Sequence, residues 1–357
     1  MHTHRLLSST SGIVLAGTFP WAKSPFERLA PRPLVPVAHR PLIGFSLSWL
    51  QAGGITRAAI CTNRNSRAIA AQLAGSPANR IDVTYCEDVM PRGAAGCVRD
   101  AARLTAGEHF IVTDASSIPN VPLLDLLEQH FASGAAVTVA AYLEGRGPGQ
   151  SPLQVPSGVY VLSQRAVDAI ARHGFVDIKE HLLPALARAG ERVTTFVVPA
   201  PVPRVLDAAT YLAVNDLVTH DTAASRLAAG DYELRGEALV HRDARVAADV
   251  TFAGPVIVAA GATIGSRAVI VGPTSIGCDV IVDSGALVSR SAVWRRSVIG
   301  ANAVVDRTIV GDDGDVGAGR QVYRTVVPGA YRRRTLDVPA SAVAVAAAPS
   351  QSPRSAA

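Results

Sequence analysis

From Val240 to Trp294 every sixth residue is apolar: Val240, Val246, Phe252, Val258, Ile264, Ile270, Ile276, Val282, Val288 and Trp294. Two places before each stands a smaller companion set, Ala238, Ala244, Val250, Val256, Ala262, Ala268, Thr274, Val280, Ala286 and Ala292. An α-helix cannot use this pattern, because six residues rotate the apolar position by roughly 240° at the helical repeat. A six-residue unit is also too short for a helix pair or a propeller blade. It suits one face of a coil in a parallel β-helix, where three units close a turn, the large residues fill the axis and the small ones fit the corners. The register slips at Arg295-Arg296-Ser297 and resumes at Ile299, Val305, Val310 and Val316, which predicts a bulged corner there.

The cleanest units, Val258-Ala259-Ala260-Gly261-Ala262-Thr263 and Ile264-Gly265-Ser266-Arg267-Ala268-Val269, resemble the hexapeptide repeat of left-handed parallel β-helices. The left hand comes from that resemblance, since strand crossovers are otherwise right-handed.

At 357 residues the chain can bury two cores, so a globular region is expected ahead of the solenoid. The expected division is a globular domain over residues 1–221, a linker over 222–238, the β-helix over 239–328, and a basic, disordered tail rich in Ala, Pro and Ser over 329–357. Cys61, Cys86, Cys97 and Cys278 show no CxxC spacing, and no secretory signal accompanies them, so a cytoplasmic protein without a disulfide framework is expected. The apolar run Ile13 to Ala16 is too short for a signal core or a membrane span and reads as the first strand. The net charge of +5 is scattered apart from Arg332-Arg333-Arg334 and Arg295-Arg296. Neither cluster has interleaved aromatics, which argues against nucleic-acid binding.

Between Gly12 and His220, β-like runs alternate with helix-like stretches: Ile13 to Ala16, Ala58 to Cys61, Phe110 to Thr113, Val137 to Ala141, Val159 to Leu162 and Val193 to Val198. The alternation predicts an α/β, Rossmann-like domain with a mostly parallel sheet, whose ligands sit at the carboxyl ends of the strands. The segments after Ala16 and Val112 are therefore the places to search.

The first of these runs from Leu15 through Val37 and resembles the opening LAGGxGTRLxPxTxxxPKPxxPV of the sugar-1-phosphate nucleotidyltransferases, the family that includes the mannose-1-phosphate guanylyltransferases. Counted from Ala16, Pro25, Pro31, Pro33, Pro36 and Val37 fall on the family positions without a gap. Pro91 to Arg99 resembles the family's LGTAGALR segment, Val112-Thr113-Asp114 its strand-ending GD, and Gly158-Val159-Tyr160-Val161 its GIYxF strand. Phe175 to Leu186 resembles the form DxKExLxP, and Tyr211-Leu212-Ala213-Val214-Asn215 the closing YLxAN. The resemblance spans residues 12 to 220, and many family members continue into a left-handed β-helix, so the two halves support each other.

The resemblance implies attack of a sugar-1-phosphate oxygen on the α-phosphorus of a nucleoside triphosphate, with release of pyrophosphate and with Mg²⁺ as cofactor. Such chemistry needs close backbone N–H groups, cations on the phosphates and carboxylates for the metal. Here the glycine-rich loop keeps Gly17 but has Thr18, Pro20, Trp21 and Ala22 at the second Gly, third Gly, Thr and Arg positions. Pro20 has no N–H to donate, and Trp21 places a bulky ring where a small residue would face phosphate. The signature lysine is Arg32, and with Lys23 it is the candidate catalytic cation. Gly17, Gly93, Gly96, Asp114 and Lys179 are the candidate nucleotide and sugar contacts. Asp114 is also the candidate metal ligand, although an Asx turn with Ser116 or Ser117 would use the same carboxylate. The family's second metal aspartate aligns with Arg204, so Asp207 serves only if the loop is three residues shorter. His39, His109, His130 and His181 show no metal-ligand spacing.

Two readings follow. One is a divergent nucleotidyltransferase, of guanylyl, uridylyl or thymidylyl type, acting on a nucleoside triphosphate and a sugar-1-phosphate. The other is a non-catalytic regulatory or scaffold paralogue that binds a nucleotide sugar. A β-helix acyltransferase is a third, with His241 as its sole candidate base. Either main reading predicts association through the β-helix, as a homo-oligomer or with an active paralogue.

Overall fold

The computed structural model describes residues 7–17, 24–74, 81–88, 90–145, 150–221, 226–227, 229–329 and 345–347. The chain divides into two compact units: Met1–Phe19 with Leu42–Pro203 and Leu336–Ala357, and Pro20–Pro41 with Arg204–Thr335. The proline-rich segment and the helix after Arg204 thus group with the β-helix, whereas linear reading assigns both to the first domain.

The first unit is built on β1 (Thr10–Leu15), β2 (Arg57–Thr62), β3 (Asp82–Glu87), β4 (His109–Asp114), β5 (Val137–Glu144), β6 (Leu153–Ser163) and β7 (Val193–Val198). Their order in the sheet is β3-β2-β1-β4-β6-β5-β7, with residues 345–347 adding a parallel strand beside β3. That strand lies within the tail expected to be disordered. Only β6 runs antiparallel, against both β4 and β5. The central strands are buried on both faces: Ile13, Val14, Ile111 and Val112 are solvent-free. Helices on both faces of a parallel sheet require such continuous apolar runs. The helices are α1 (Ile43–Ala52), α2 (Ser66–Leu73), α3 (Gly93–Ala102), α4 (Leu123–Ser133), α5 (Gln164–Asp168) and α6 (Leu183–Arg188). Through Ala95, Val98 and Ala101, α3 packs on Ile13, Phe110, Val112 and Leu162. All four cysteines are free thiols.

In the second unit, α7 (Ala208–Asp221) precedes the β-helix. Residues read as linker contain a strand, Tyr232–Arg235, which pairs antiparallel with Ala238–His241 and opens the first coil. From there the chain is a left-handed β-helix of three parallel ladders. The period-six residues stack as expected: Val240 on Val258 on Ile276, Val246 on Ile264 on Val282, Phe252 on Ile270 on Val288. Ile264, Ile270, Ile276 and Val282 are buried, as are Ala262, Ala268, Val280 and Ala286 at the corners.

The period breaks earlier than the sequence suggests, and it breaks differently. Val293 takes the axis position, pairing with Ile276 below and Val310 above. Stacked partners are eighteen residues apart up to Ile270 and Val288, and seventeen from Ile276 and Val293 onward. The change falls at the Ser289–Ala292 corner and is a shortening, so no bulge is needed at Arg295-Arg296-Ser297. Trp294 then belongs to the outer side of the wall. It is still buried, because Tyr211 of α7 covers it.

Several corners are made by residues other than glycine in the left-handed region: Asp279, Arg290, Arg296, Asn302, Arg307, Asp313 and Arg324, with φ between 46° and 58°. Each donates its backbone N–H to a carbonyl one coil earlier, as in Arg296 to Cys278 at 2.9 Å and Asp313 to Arg295 at 2.9 Å. Side chains repeat the stacking: Arg290 pairs with Asp306 at 2.7 Å, Arg295 with Asp312 at 2.6 Å and Arg296 with Asp313 at 2.7 Å. Exposed pairs of this kind add about 0–1 kcal/mol each, so the solenoid stands on its axis. Replacing Val293 by Asp buries an unpaired charge there and is expected to destabilise the second unit by several kcal/mol in equilibrium urea unfolding. An unchanged transition would place residue 293 off the axis.

Candidate functional site

In the first unit the candidate residues sit at the carboxyl ends of neighbouring strands. Gly17 follows β1 and is exposed, and a Cβ there would meet only Asn63 Oδ1, in ordinary contact at 3.9 Å. Asp114 ends β4, in register with Leu15 of β1, so the strand pairing brings Gly17 and Asp114 to the same edge. One Asp114 oxygen accepts the Ser116 N–H at 2.8 Å, and the Asp114 carbonyl accepts the Ser117 hydroxyl at 2.6 Å. This is the Asx turn that the local sequence allowed.

Gly93, Gly96 and the Lys179 segment form a second group. Gly93 starts α3 with φ +74°, and a Cβ there would lie 2.4 Å from the Val176 carbonyl oxygen. That carbonyl accepts the Ala95 N–H at 3.0 Å and the Gly96 N–H at 3.4 Å, while Val176 N–H donates to Arg92 at 2.8 Å. The glycine thus serves a backbone-to-backbone contact that caps the helix start internally. Directly after Val176, Asp177 begins the next turn, accepting from Lys179 N at 2.7 Å and Glu180 N at 3.1 Å. The Lys179 side chain is exposed. Beside α3 an ionic chain holds the same loop: Arg92 pairs with Asp100 at 2.9 Å, and buried Arg99 pairs with Asp100 at 3.0 Å.

Arg32 and Asp207 belong to the second unit. Arg32 opens a short 3-10 turn, Arg32–Leu34, and its guanidinium pairs with Glu27 at 3.3 Å. Asp207 caps α7, accepting the Thr210 N–H at 2.8 Å and the Thr210 hydroxyl at 2.8 Å. Those bonds hold its carboxyl below the usual range, and the Arg32 guanidinium adds to the effect. Lys23, with Thr18 to Ala22, lies outside the described residues.

Sequence reasoning missed the groups that hold the Arg32 segment. Tyr211 is fully buried, and its hydroxyl donates to the Pro36 carbonyl at 2.5 Å. One turn later Asn215 Oδ1 accepts the Ala38 N–H at 2.9 Å and the Ser275 hydroxyl at 3.2 Å. Arg226 donates to the Ala38 carbonyl and to the Tyr232 hydroxyl. His39, at φ 69°, is half-buried, and its ring bonds the Ile257 carbonyl. The i, i+4 spacing of Tyr211 and Asn215 was the available signal, since it places both on one helix face. His241 accepts the Asp243 N–H at 3.1 Å and meets the Tyr232 ring edge-on.

A metal would need ligands from Asp114 and Asp207. Each carboxylate already caps a turn or helix, and Asp207 also faces a guanidinium. Among the described residues no group of three or more His, Cys, Asp or Glu is arranged to hold a metal ion. Both carboxylates that the sequence offers for a metal thus accept hydrogen bonds within their own turns.

The sheet order and the three stacked ladders define a Rossmann-like α/β domain followed by a hexapeptide-repeat β-helix. Residues 11–149 match the nucleotidyl transferase family, and residues 252–336 match the GMPPB C-terminal domain. The chain is 25% identical over 315 residues to the mannose-1-phosphate guanylyltransferase of Mycobacterium tuberculosis, covering 81% of this chain and 85% of that one. It is 24% identical to the probable mannose-1-phosphate guanylyltransferase 3 of Arabidopsis thaliana, over 60% of this chain and 73% of the relative. With the mannose-1-phosphate guanyltransferase of Candida albicans it shares 26% identity, over 36% of this chain and 37% of that protein. Together the two family matches and these relatives support a sugar-1-phosphate nucleotidyltransferase with a C-terminal β-helix-like domain. Nucleotidyltransferases of this family typically use a divalent metal. No helix among the described residues is long and apolar enough to cross a membrane.

Two outcomes follow from this geometry. Gly93→Ala is expected to cost at least 1–3 kcal/mol by thermal or urea unfolding, since its φ is positive and its neighbour is backbone; a neutral substitution would refute the junction with Val176. Burial, aided by Arg226, lowers the His39 pKa from 6.5 to about 3. The unfolded chain therefore takes up this proton below pH 6.5 and the folded one does not, so stability present above pH 6.5 is lost as pH falls toward 3. The slope is up to about 1.4 kcal/mol per pH unit. His39→Asn is expected to flatten that dependence in unfolding at stepped pH, leaving the smaller contribution of His130, whose pKa burial lowers to about 4.

Proposed function

We propose that this chain binds a nucleotide sugar or sugar-1-phosphate and serves nucleotide-sugar metabolism as a regulatory or scaffold member of its family, with weak or absent pyrophosphorylase activity. The observation that carries the reading is Arg32. At the signature cation position it is engaged by Glu27 and flanked by Asp207, so the charge that would neutralise a triphosphate is already neutralised from within. Pro20, Trp21 and Ala22 add to this in the sequence, because they remove backbone donors and crowd the loop. What remains suits binding: Gly17 and Asp114 at one strand edge, with Gly93, Gly96 and an exposed Lys179 around the α3 junction. Three relatives with guanylyltransferase names make guanosine and mannose the first choices for base and sugar. No step is assigned to Mg²⁺, since the carboxylates do not form a set for it. Association with a second copy or an active paralogue is proposed through the β-helix, where Ile281 and Tyr323 are exposed.

The test uses the full chain with Mg²⁺, GTP and mannose-1-phosphate, following pyrophosphate release beside calorimetric titration with GDP-mannose. Binding with turnover at least about 10²-fold below that of an active relative is expected, from the loss of preorganised phosphate donors. Rebuilding residues 17–22 as the family's glycine-rich loop together with Arg32→Lys should raise turnover. Ordinary turnover by the unaltered chain would overturn the reading.

A further inference from the structure

Three of the four cysteines, distant in sequence, converge beneath the start of α3. Cys61 of β2 and Cys86 of β3 are register partners on neighbouring parallel strands, so both side chains leave the sheet on the same face. Both are 3% exposed and lie in the core cluster with Ala95 and Val98 of α3. Cys97, in the second turn of that helix, packs against the same cluster and is half-buried. The Cys61 thiol has two acceptors, the Cys97 carbonyl at 3.6 Å and the Cys86 sulfur. Cys97 turns its own hydrogen the other way, to an Asp88 oxygen at 3.4 Å.

These contacts divide the thiols by role. Burial and the Asp88 carboxylate push the Cys97 thiol well up, which keeps it protonated. The hydrogen bond from Cys61 holds Cys86 below its ordinary value, and that makes Cys86 the better nucleophile of the pair. Neighbouring strands lie about 4.7–4.9 Å apart, within the roughly 4.4–6.8 Å that a disulfide spans between Cα atoms. Of the three thiols only Cys97 is half-exposed, so the cluster is reached past it, by a small oxidant and not by a bulky disulfide. The pair also lies directly under the strand-end edge, since the Cys61 carbonyl accepts the Ala16 N–H at 2.7 Å, one residue before Gly17.

We propose that Cys61 and Cys86 form a reversible dithiol–disulfide couple whose oxidant is a hydroperoxide. The Cys86 sulfur attacks the terminal peroxide oxygen, the O–O bond breaks, and Cys86 is left as its sulfenic acid while an alcohol, or water from hydrogen peroxide, departs. The Cys61 sulfur then attacks the Cys86 sulfur, the S–S bond forms, the S–O bond breaks and water leaves. The two sulfurs give up two electrons, the peroxide takes them, and the two thiol protons end on the departing oxygens. A thiol reductant reverses the step by exchange. The couple requires no ligand at the strand-end edge, so it stands whether or not a nucleotide sugar binds there.

The experiment treats the reduced full chain, under native conditions, with a small excess of hydrogen peroxide, then alkylates the remaining thiols in denaturant and maps the peptides by mass. The expected product is a peptide pair joining Cys61 to Cys86 with the loss of two hydrogen atoms, while Cys97 and Cys278 are alkylated. Dithiothreitol should restore both thiols. In Cys61→Ala, shown folded by circular dichroism, Cys86 lacks its resolving partner and should pass on to the sulfinic acid, which dithiothreitol does not reverse. Cys97→Ala should keep the Cys61–Cys86 link. The wild-type map decides even if neither variant folds. Peroxide treatment that leaves Cys61 and Cys86 open to alkylation, or that joins Cys86 to Cys97 instead, overturns the proposal. A Cys61–Cys86 link that forms only in urea overturns it as well, because such a link owes nothing to the fold.

Discussion

A coil of this β-helix can bury one large side chain per face, and that limit organises the second unit. With Ile276 below and Val310 above, the axis accepts Val293 and turns its neighbour Trp294 to the outside. An indole there needs both cover and an acceptor. Helix α7 supplies them through Tyr211, whose remaining hydrogen goes to Pro36. The proline-rich segment groups with the solenoid because its polar backbone atoms find partners there: the Pro36 carbonyl, the Ala38 N–H and carbonyl, and the carbonyl of Ile257 facing His39.

In the same segment the family's proline spacing is kept while the cation between the prolines has a partner of its own. Prolines at the family spacing still shape the path of the chain, but the cation between Pro31 and Pro33 now answers to Glu27. A guanidinium with a half-buried carboxylate partner is a balanced pair, and a phosphate would have to displace that partner to use it. Lysine in the same place would offer a compact charge with a different reach. The change is thus one of electrostatic commitment as well as of side-chain shape.

The solenoid and the sheet were legible in sequence because each rests on a short period, six in one and continuous apolar runs in the other. Ile270 and Ile276 are fully buried where the period put them. Trp294 misled for a physical reason: Val293 and Trp294 are both apolar, so a one-residue deletion at the preceding corner leaves a count of six intact while shifting the true axis residue. Glu27 and Arg32 lie five apart outside any long helix, a spacing without periodic meaning, so their pairing was invisible. The grouping of residues 20–41 with the β-helix is tertiary and leaves no local trace. By contrast, the Asx turn of Asp114 was written locally in Ser116 and Ser117.

The left-handed corners bear on how the solenoid is assembled. A residue such as Arg296 or Asp313 gives up its preferred backbone region, at roughly 1–2 kcal/mol, and recovers a hydrogen bond only from the coil beneath it. No corner of this kind is favourable until its predecessor exists. The solenoid is therefore held together coil by coil, each such corner depending on the neighbouring coil that takes its hydrogen bond. A substitution that opens one corner accordingly loosens the coil stacked against it as well.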